Sequence, residues 1–180
     1  ADPEAASRVG QGANRTSAGG SMEVDAGSGG STMTSGTTTR TSGAGTIAYT
    51  AGTDVALSVL SGASTVNVTA TTGAITDNLT GETTANLTGT TATLSAATGI
   101  GSADDLQPNV TPLDATKTGA GHIQITEVAA GTNLHLQQVN QPDTTGSGYG
   151  RIRVTALTGH EPVAGSCSAC MYPAPACGAA

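Results

Sequence analysis

The sequence predicts an all-β protein built as a short parallel β-solenoid. Three observations lead to this fold: short runs of alternating polar and apolar residues, a weak internal repeat, and an almost complete lack of aromatic side chains. Phe and Trp are absent from the 180 residues, and aromatic residues make up only 2% of them. Because aromatic side chains dominate the cores of ordinary globular domains, we expect an architecture that closes a thin core with small aliphatic residues.

The body of the chain, from residue 45 onwards, consists of short β-type runs that end at Gly, Asn or Asp. Ile123 and Ile125 share one face of such a run, since successive side chains of a strand point to opposite faces. A high β-branched content and the lack of helical apolar spacing argue against helices. The predicted strands are residues 46–50, 55–60, 65–69, 92–96, 122–126, 133–137 and 151–155.

Internal repetition favours a solenoid over other all-β folds. The segment that begins at Val68 is echoed 26 residues later from Leu94, and the run 78–81 recurs as 86–89. A strand, a Gly turn and a second strand repeated every 20 to 30 residues or so are typical of a parallel β-solenoid. The alternative is an antiparallel β-sandwich, which also uses about seven short alternating strands.

The two ends of the chain differ in composition from the body. Residues 1–44 are rich in Gly, Ser and Thr, and such a segment is expected to bury too little apolar surface to fold alone. We therefore expect an N-terminal arm at residues 1–44 that neighbouring subunits hold in place. A β-rich body at residues 45–159 and a Cys- and Pro-containing tail at residues 160–180 complete the predicted organisation.

The charge balance and the hydropathy of the sequence argue against two kinds of interaction, nucleic-acid binding and a membrane span. The chain has a formal net charge of −7 and only 11% charged residues, whereas nucleic-acid binders carry an excess of basic residues. No apolar run approaches the roughly 20 residues that span a bilayer. We expect no nucleic-acid partner and no membrane span. The low charge and the lack of a starting Met favour a mature secreted chain at the cell surface or outside the cell.

Residues 68–138 contain a recurring motif pattern, carried by the residues at 73–78, 92–106, 113–116 and 121–127. The pattern follows a "G-x-I-t-d" start, an "L-x-L-x-A-x-x-G-I-G" strand and turn, a small loop, and an "I-x-I-t-n" strand. In this pattern the segment resembles the repeat unit of filamentous-haemagglutinin-like secreted β-solenoid proteins. The resemblance implies a right-handed parallel β-helix on a secreted, surface-exposed fibre. Family members are typically far longer, with many more repeats than this chain offers.

The ends of a short solenoid suggest its function. Open strand edges pair with other chains unless something covers them. We therefore expect a structural subunit, a homo-oligomer that self-assembles into an extracellular fibre, filament or sheath by β-augmentation. The alternative is a surface adhesin module that binds glycans or matrix. The sequence contains no Gly-x-Ser-x-Gly, His-Glu-x-x-His or phosphate-binding loop motif, so we expect no enzyme and no cofactor.

Three cysteines lie close together near the C-terminus, at Cys167, Cys170 and Cys177. In an oxidising compartment an odd number of cysteines predicts at least one bond between chains. We interpret them as disulfide cross-links between subunits. A zinc site that adds His160 to the three cysteines is the alternative, but we expect no metal.

Asparagine residues are the last candidate sites. Five of the seven begin the Asn-x-Thr sequence that accepts N-linked glycans, although Thr-rich strands also generate this sequence by chance. The candidate glycosylation sites are Asn14, Asn67, Asn78, Asn86 and Asn109. The acidic pair Asp104 and Asp105 is expected to lie in a solvated loop.

Overall fold

The computed structural model of the chain describes residues 8–62, 64–81, 83–128, 136–140 and 151–156, and for residues 136–140 and 156 the backbone alone. These residues form strands, turns and bends, with no helix among them. The strands stack into three parallel sheets, which we call sheets A, B and C. The described part of the chain is therefore all-β and forms a parallel β-solenoid of about five turns, as the sequence predicts.

The three sheets differ in their number of strands. Sheet A has the order β1 (Val9–Gln11), β4 (Ser31–Met33), β7 (Val55–Leu57), β10 (Ala74–Asp77), β13 (Gly99–Ile100), β16 (Ile123–Glu127) and β18 (Ile152–Ala156). Sheet B has the order β2 (Arg15–Ser17), β5 (Thr38–Thr41), β8 (Val59–Ser61), β11 (Leu87–Thr88) and β14 (Pro108–Asn109). Sheet C has the order β3 (Met22–Asp25), β6 (Ile47–Ala51), β9 (Thr65–Ala70), β12 (Thr91–Ala96), β15 (Leu113–Lys117) and β17 (Leu136–Asn140).

Each complete turn contributes one strand to each sheet, beginning with β1, β2 and β3. Every pairing between these named strands is parallel. An antiparallel β-sandwich is therefore wrong for this chain. The repeat that begins at Val68 and Leu94 is confirmed as a solenoid repeat, because these two residues are register partners in β9 and β12.

The interior is a narrow column of stacked small side chains. One inward row of sheet C consists of Tyr49, Val68, Leu94 and Ala115, in register from strand to strand and buried. Tyr49 is the sole aromatic residue in the part of the chain that the structure describes. Burial of each Val, Leu or Ile contributes about 1.5–3 kcal/mol, so the stacked rows supply the main stabilisation without wide aromatic rings.

Residues 8–44 belong to the solenoid and do not form a separate arm. They contribute β1 to β5, and β4 and β5 pair directly with β7 and β8 of the body. The expected arm is therefore wrong for these residues. The physical reason is that buried hydroxyl and amide groups of Gln11, Ser31 and Thr39 take interior positions, and Thr39 donates a hydrogen bond to Gln11 Oε1 at 2.8 Å. The predicted tail at residues 160–180 lies outside the described residues.

The turns between sheets C and A approach one another closely. A Cβ atom built on Gly52, between β6 and β7, would lie 2.6 Å from the backbone carbons of Ser28 in the turn below. Real Cβ atoms do not approach backbone this closely, so the stacking of these turns requires glycine at this position.

Candidate functional site

The first turn presents a strand edge that no described residue covers. β1, β2 and β3 each lie at the end of their sheet. Val9 donates its backbone N–H to Gly30, and the Gln11 carbonyl accepts a hydrogen bond from Thr34. Alternate residues of a parallel strand direct their N–H and C=O groups to opposite sides, so the backbone groups of Gly10 point away from β4, towards the open side.

The three strands of this edge differ in their charges. Arg15 in β2 is exposed, and so are Glu23 and Asp25 in β3. Charged side chains are a common protection of edge strands against pairing. β1 consists of Val9, Gly10 and Gln11 and carries no charge, so it is the least protected strand of the first turn. We call its open side the β1 edge.

A second edge lies at the other end of sheet A, on β18. Ile152 and Val154 are half-buried and pack against the core. Arg153 forms an ion pair with Asp105, with its Nη2 at 2.6 Å from Oδ1 and 2.7 Å from Oδ2. Thr126 donates a hydrogen bond to the same carboxylate at 2.7 Å. Asp105 is therefore engaged within the chain, and the solvated loop predicted for it is wrong, whereas Asp104 is exposed.

Beneath the β1 edge lies a buried polar cluster. Thr39 donates its hydroxyl to Gln11 Oε1 at 2.8 Å, and the Tyr49 hydroxyl lies 2.6 Å from that of Thr39 and within hydrogen-bond distance of the same Gln11 oxygen. Burial raises the pKa of the Tyr49 phenol above its ordinary value, although its hydrogen bond with Thr39 acts in the opposite direction. The phenol therefore stays neutral, and a hydrogen-bonded cluster takes the place of aliphatic packing in the first turns.

A second polar group occupies the corner between sheets A and B. Asn86 is fully buried; its Nδ2 donates to Ser58 O at 3.2 Å and to Asp77 Oδ1 at 2.8 Å. Its Oδ1 accepts the backbone N–H of Gln107 at 2.8 Å. Burial raises the pKa of the Asp77 carboxyl, more than the hydrogen bonds from Leu79 and Asn86 lower it. Asn86 thus joins three successive turns through one side chain.

The five candidate glycosylation sites fall in different environments. Asn14 is exposed, and its Oδ1 accepts the Thr38 backbone N–H at 2.8 Å. Asn67 and Asn109 are half-buried, as is Asn78, whose Nδ2 donates to Met33 O. Asn86 is wrong as a glycosylation site of this fold, because its amide nitrogen is buried and already donates to two acceptors. The other four remain predictions.

One lysine is buried, which the sequence pattern does not indicate. Lys117 ends β15 and continues the inward row of Ala51, Ala70 and Ala96. Its side chain is 1% exposed and its Nζ donates to the carbonyl of Gly119. Burial lowers the pKa of this amine.

The predicted cross-linking residues Cys167, Cys170 and Cys177 lie outside the described residues, as does His160. Within the described ranges, no group of three or more His, Cys, Asp or Glu side chains is placed to hold a metal ion. The same described residues include no helix that could span a membrane.

Sequence reasoning missed the β1 edge, because residues 1–44 were expected to lie outside the solenoid. A signal for it is present in the sequence. Val9 and Gln11 alternate with Gly10 and Gly12, and the same spacing recurs at Ser31 and Met33, the register partners of Val9 and Gln11.

Comparison with known proteins identifies no relative of this chain. No protein-family model, no curated protein and no solved structure matches it significantly.

Proposed function

We propose that this chain is a structural subunit that assembles into an extracellular fibre or sheath by adding strands to the ends of its solenoid. The observation that carries the proposal is the uncharged β1 edge, whose Gly10 backbone groups point to the open side of sheet A. Parallel sheets propagate by backbone hydrogen bonds at strand spacings of about 4.8 Å. A further strand can therefore add to this edge by the same contacts that hold the turns together, as in β-augmentation.

Several features of the sequence support this proposal. The likeness of residues 68–138 to filamentous-haemagglutinin-like repeats implies a secreted fibre, and the low charge reduces repulsion between stacked copies. In an oxidising environment Cys167, Cys170 and Cys177 would add disulfides between neighbouring copies. Such bonds would convert a reversible assembly into a durable one.

The proposal is tested by blocking the β1 edge with proline. Gly10→Pro removes the outward N–H and places a ring on the open side, while the hydrogen bonds from β1 to β4 are made by Val9 and Gln11. A Cβ atom at position 10 meets no heavy atom within 4 Å, so the monomer is expected to fold. We expect the wild-type chain to form filaments in electron micrographs with a strand reflection near about 4.8 Å, and Gly10→Pro to remain monomeric in sedimentation velocity.

The matched control is Ser35→Pro. Thr37 donates its N–H to Thr34 O at 3.0 Å, and Gly36 has φ of 81°, so Ser35 is the second residue of a type II turn, where proline is favoured. This variant should assemble like the wild type. Equal assembly of Gly10→Pro, or a wild-type chain that stays monomeric at high concentration, would overturn the proposal.

A further inference from the structure

The two ends of sheet A match one another in side-chain pattern. An inward row runs through the whole sheet without a shift in register: Val9, Ser31, Val55, Ile75, Ile100, Ile123 and Ile152. Its five inner members are buried, whereas Val9 and Ile152 are half-buried and pack against the core from one side. Each end of the row therefore has an apolar side chain with one flank uncovered by described residues.

The two ends of sheet A also match in the direction of their backbone N–H and C=O groups. At four of the six junctions, the member of the inward row donates its N–H to the carbonyl that precedes its partner in the next strand: Val9 to Gly30, Ser31 to Asp54, Ile100 to His122, and Ile123 to Arg151. Because the same alternation continues into β18, Ile152 directs its N–H and C=O away from β16, towards the open side of β18. The groups that point outward on the β1 edge are those of Gly10. The outward backbone donors and acceptors of the β18 edge are therefore complementary to those of the β1 edge.

We propose that β18 of one copy pairs in parallel with β1 of the next copy, with Ile152 stacked on Val9. This proposal rests on the proposed function and names the joint through which copies add. In this register Ile152 N–H donates to the Arg8 carbonyl of the next copy, and Gly10 N–H of that copy donates to the Ile152 carbonyl. Across the joint, sheet A would continue with the same inward row and the same alternation of backbone N–H and C=O directions as inside one copy.

The outward face of the joint has room for the ion pair between Arg153 and Asp105 at the end of sheet A. Arg153 falls next to Gly10 of the following copy, and a Cβ atom on Gly10 would meet nothing within 4 Å. The guanidinium can therefore keep both contacts with Asp105. A second consequence is less favourable: the same register places Arg151 beside Arg8, both exposed, and like charges directly opposite each other are destabilising.

Cysteine pairs across the joint test the register. The background variant replaces Cys167, Cys170 and Cys177 by serine, and two single-cysteine chains carry either Arg153→Cys or Gly10→Cys. Register partners lie about 4.8 Å apart, within the Cα range of disulfides of about 4.4–6.8 Å. On mixing and mild oxidation, mass spectrometry should find a 153–10 heterodimer. Gln124→Cys with Arg153→Cys in one chain is the positive control, because these residues are register partners within a copy.

The matched control for register pairs Arg153→Cys with Gly12→Cys. Gly12 also has no heavy atom within 4 Å of a built Cβ, but it lies two residues further along, so its Cα would be roughly 8 Å from position 153, beyond disulfide reach. We expect at least about tenfold more 153–10 than 153–12 product. A reversed ratio, or assembly without either product, overturns the joint and leaves the proposed function standing. If the background chain and the wild type both stay monomeric, the proposed function fails as well.

Charge reversal supplies a second readout of the same joint. Arg8→Glu would place a carboxylate beside Arg151 of the neighbouring copy, so assembly at low salt should be faster than for the wild type, with a gain that salt removes. Arg40→Glu changes the same charge on the exposed outer face of β5, one turn away from the edge. Equal effects of the two variants would contradict the stacking of Ile152 on Val9.

Discussion

Asn86 carries three hydrogen bonds to three different partners from a fully buried position. A strand residue on the outer face of a sheet makes its bonds to water instead, and its loss is mild. Removal of the Asn86 amide would leave Ser58 O and the Gln107 N–H buried without their partners, and each such group costs about 1–3 kcal/mol. The side chain therefore holds this corner of the solenoid together.

We predict that Asn86→Ala lowers the free energy of unfolding by about 3 kcal/mol, measured by urea unfolding of the monomer. The matched control is Asn67→Ala. Asn67 is also an asparagine of a sequon, but it is half-buried and lies on the outer side of β9. Its replacement should cost less than about 1 kcal/mol. Equal losses for the two variants would show that the polar corner contributes no stability of its own.

At the scale of the strand, alternating apolar residues were a sufficient signal for part of the fold. β6, β9, β12, β16 and β18 were predicted to within one or two residues, because apolar residues occupy nearly every second position in them. The run 55–60 was predicted as one strand, but it forms β7 and β8, with the buried Ser58 at the corner between sheets A and B. A polar residue at a corner breaks the alternation without ending the apolar run.

The strands β1 to β5 could not be predicted in this way. Their inward positions include Gln11, Ser31, Thr39 and Thr41, all buried, and an alternation of polar with polar residues carries no hydrophobic period. These side chains lie inside only because neighbouring turns supply their partners, as Gly20 O does for the Thr41 hydroxyl at 2.8 Å. Hydrogen-bond partners that come from other turns cannot be predicted from the sequence of a single segment. The β1 edge was missed for a related reason: the spacing that Val9 and Gln11 share with Ser31 and Met33 becomes visible only when the two segments are compared with each other.

A prediction at this scale concerns the close turns between sheets C and A. Gly52→Ala would drive a methyl group into the Ser28 backbone, at a Cβ distance of 2.6 Å. Because backbone rather than a flexible side chain must move, we expect a loss of about 1–3 kcal/mol in the free energy of unfolding. Gly12→Ala is the matched control, with no heavy atom within 4 Å, and should change stability by less than about 0.5 kcal/mol. Thermal unfolding followed by circular dichroism would compare them, and similar midpoints would refute the close packing of these turns.

At the scale of the whole molecule, a solenoid is a one-dimensional stack in which each turn contacts only its neighbours. Inner turns have a partner on both sides. The first turn has one on a single side among the described residues, which is why Val9 and Met22 stay half-buried. A second copy at this end would give the first turn its missing neighbour. The lack of Phe and Trp and the low charge fit such a stack, since each turn must present the same narrow outline to the next.

Assembly through the β1 edge therefore predicts that stability depends on protein concentration. A partner that binds only the folded chain stabilises it by mass action, by about 1.4 kcal/mol for each tenfold increase in concentration above the dissociation constant. In a chain of this size 1 kcal/mol shifts the unfolding temperature by about 2–4 °C.

Calorimetry of the wild type in reductant should thus show a thermal unfolding midpoint that rises by several degrees over a hundredfold range of protein concentration. Gly10→Pro should show a constant midpoint, and Ser35→Pro should follow the wild type. Without reductant, disulfides between copies would make each joint intramolecular, so the wild-type midpoint should be higher and independent of dilution. A wild-type midpoint in reductant that does not change with concentration would contradict end-to-end assembly over that range.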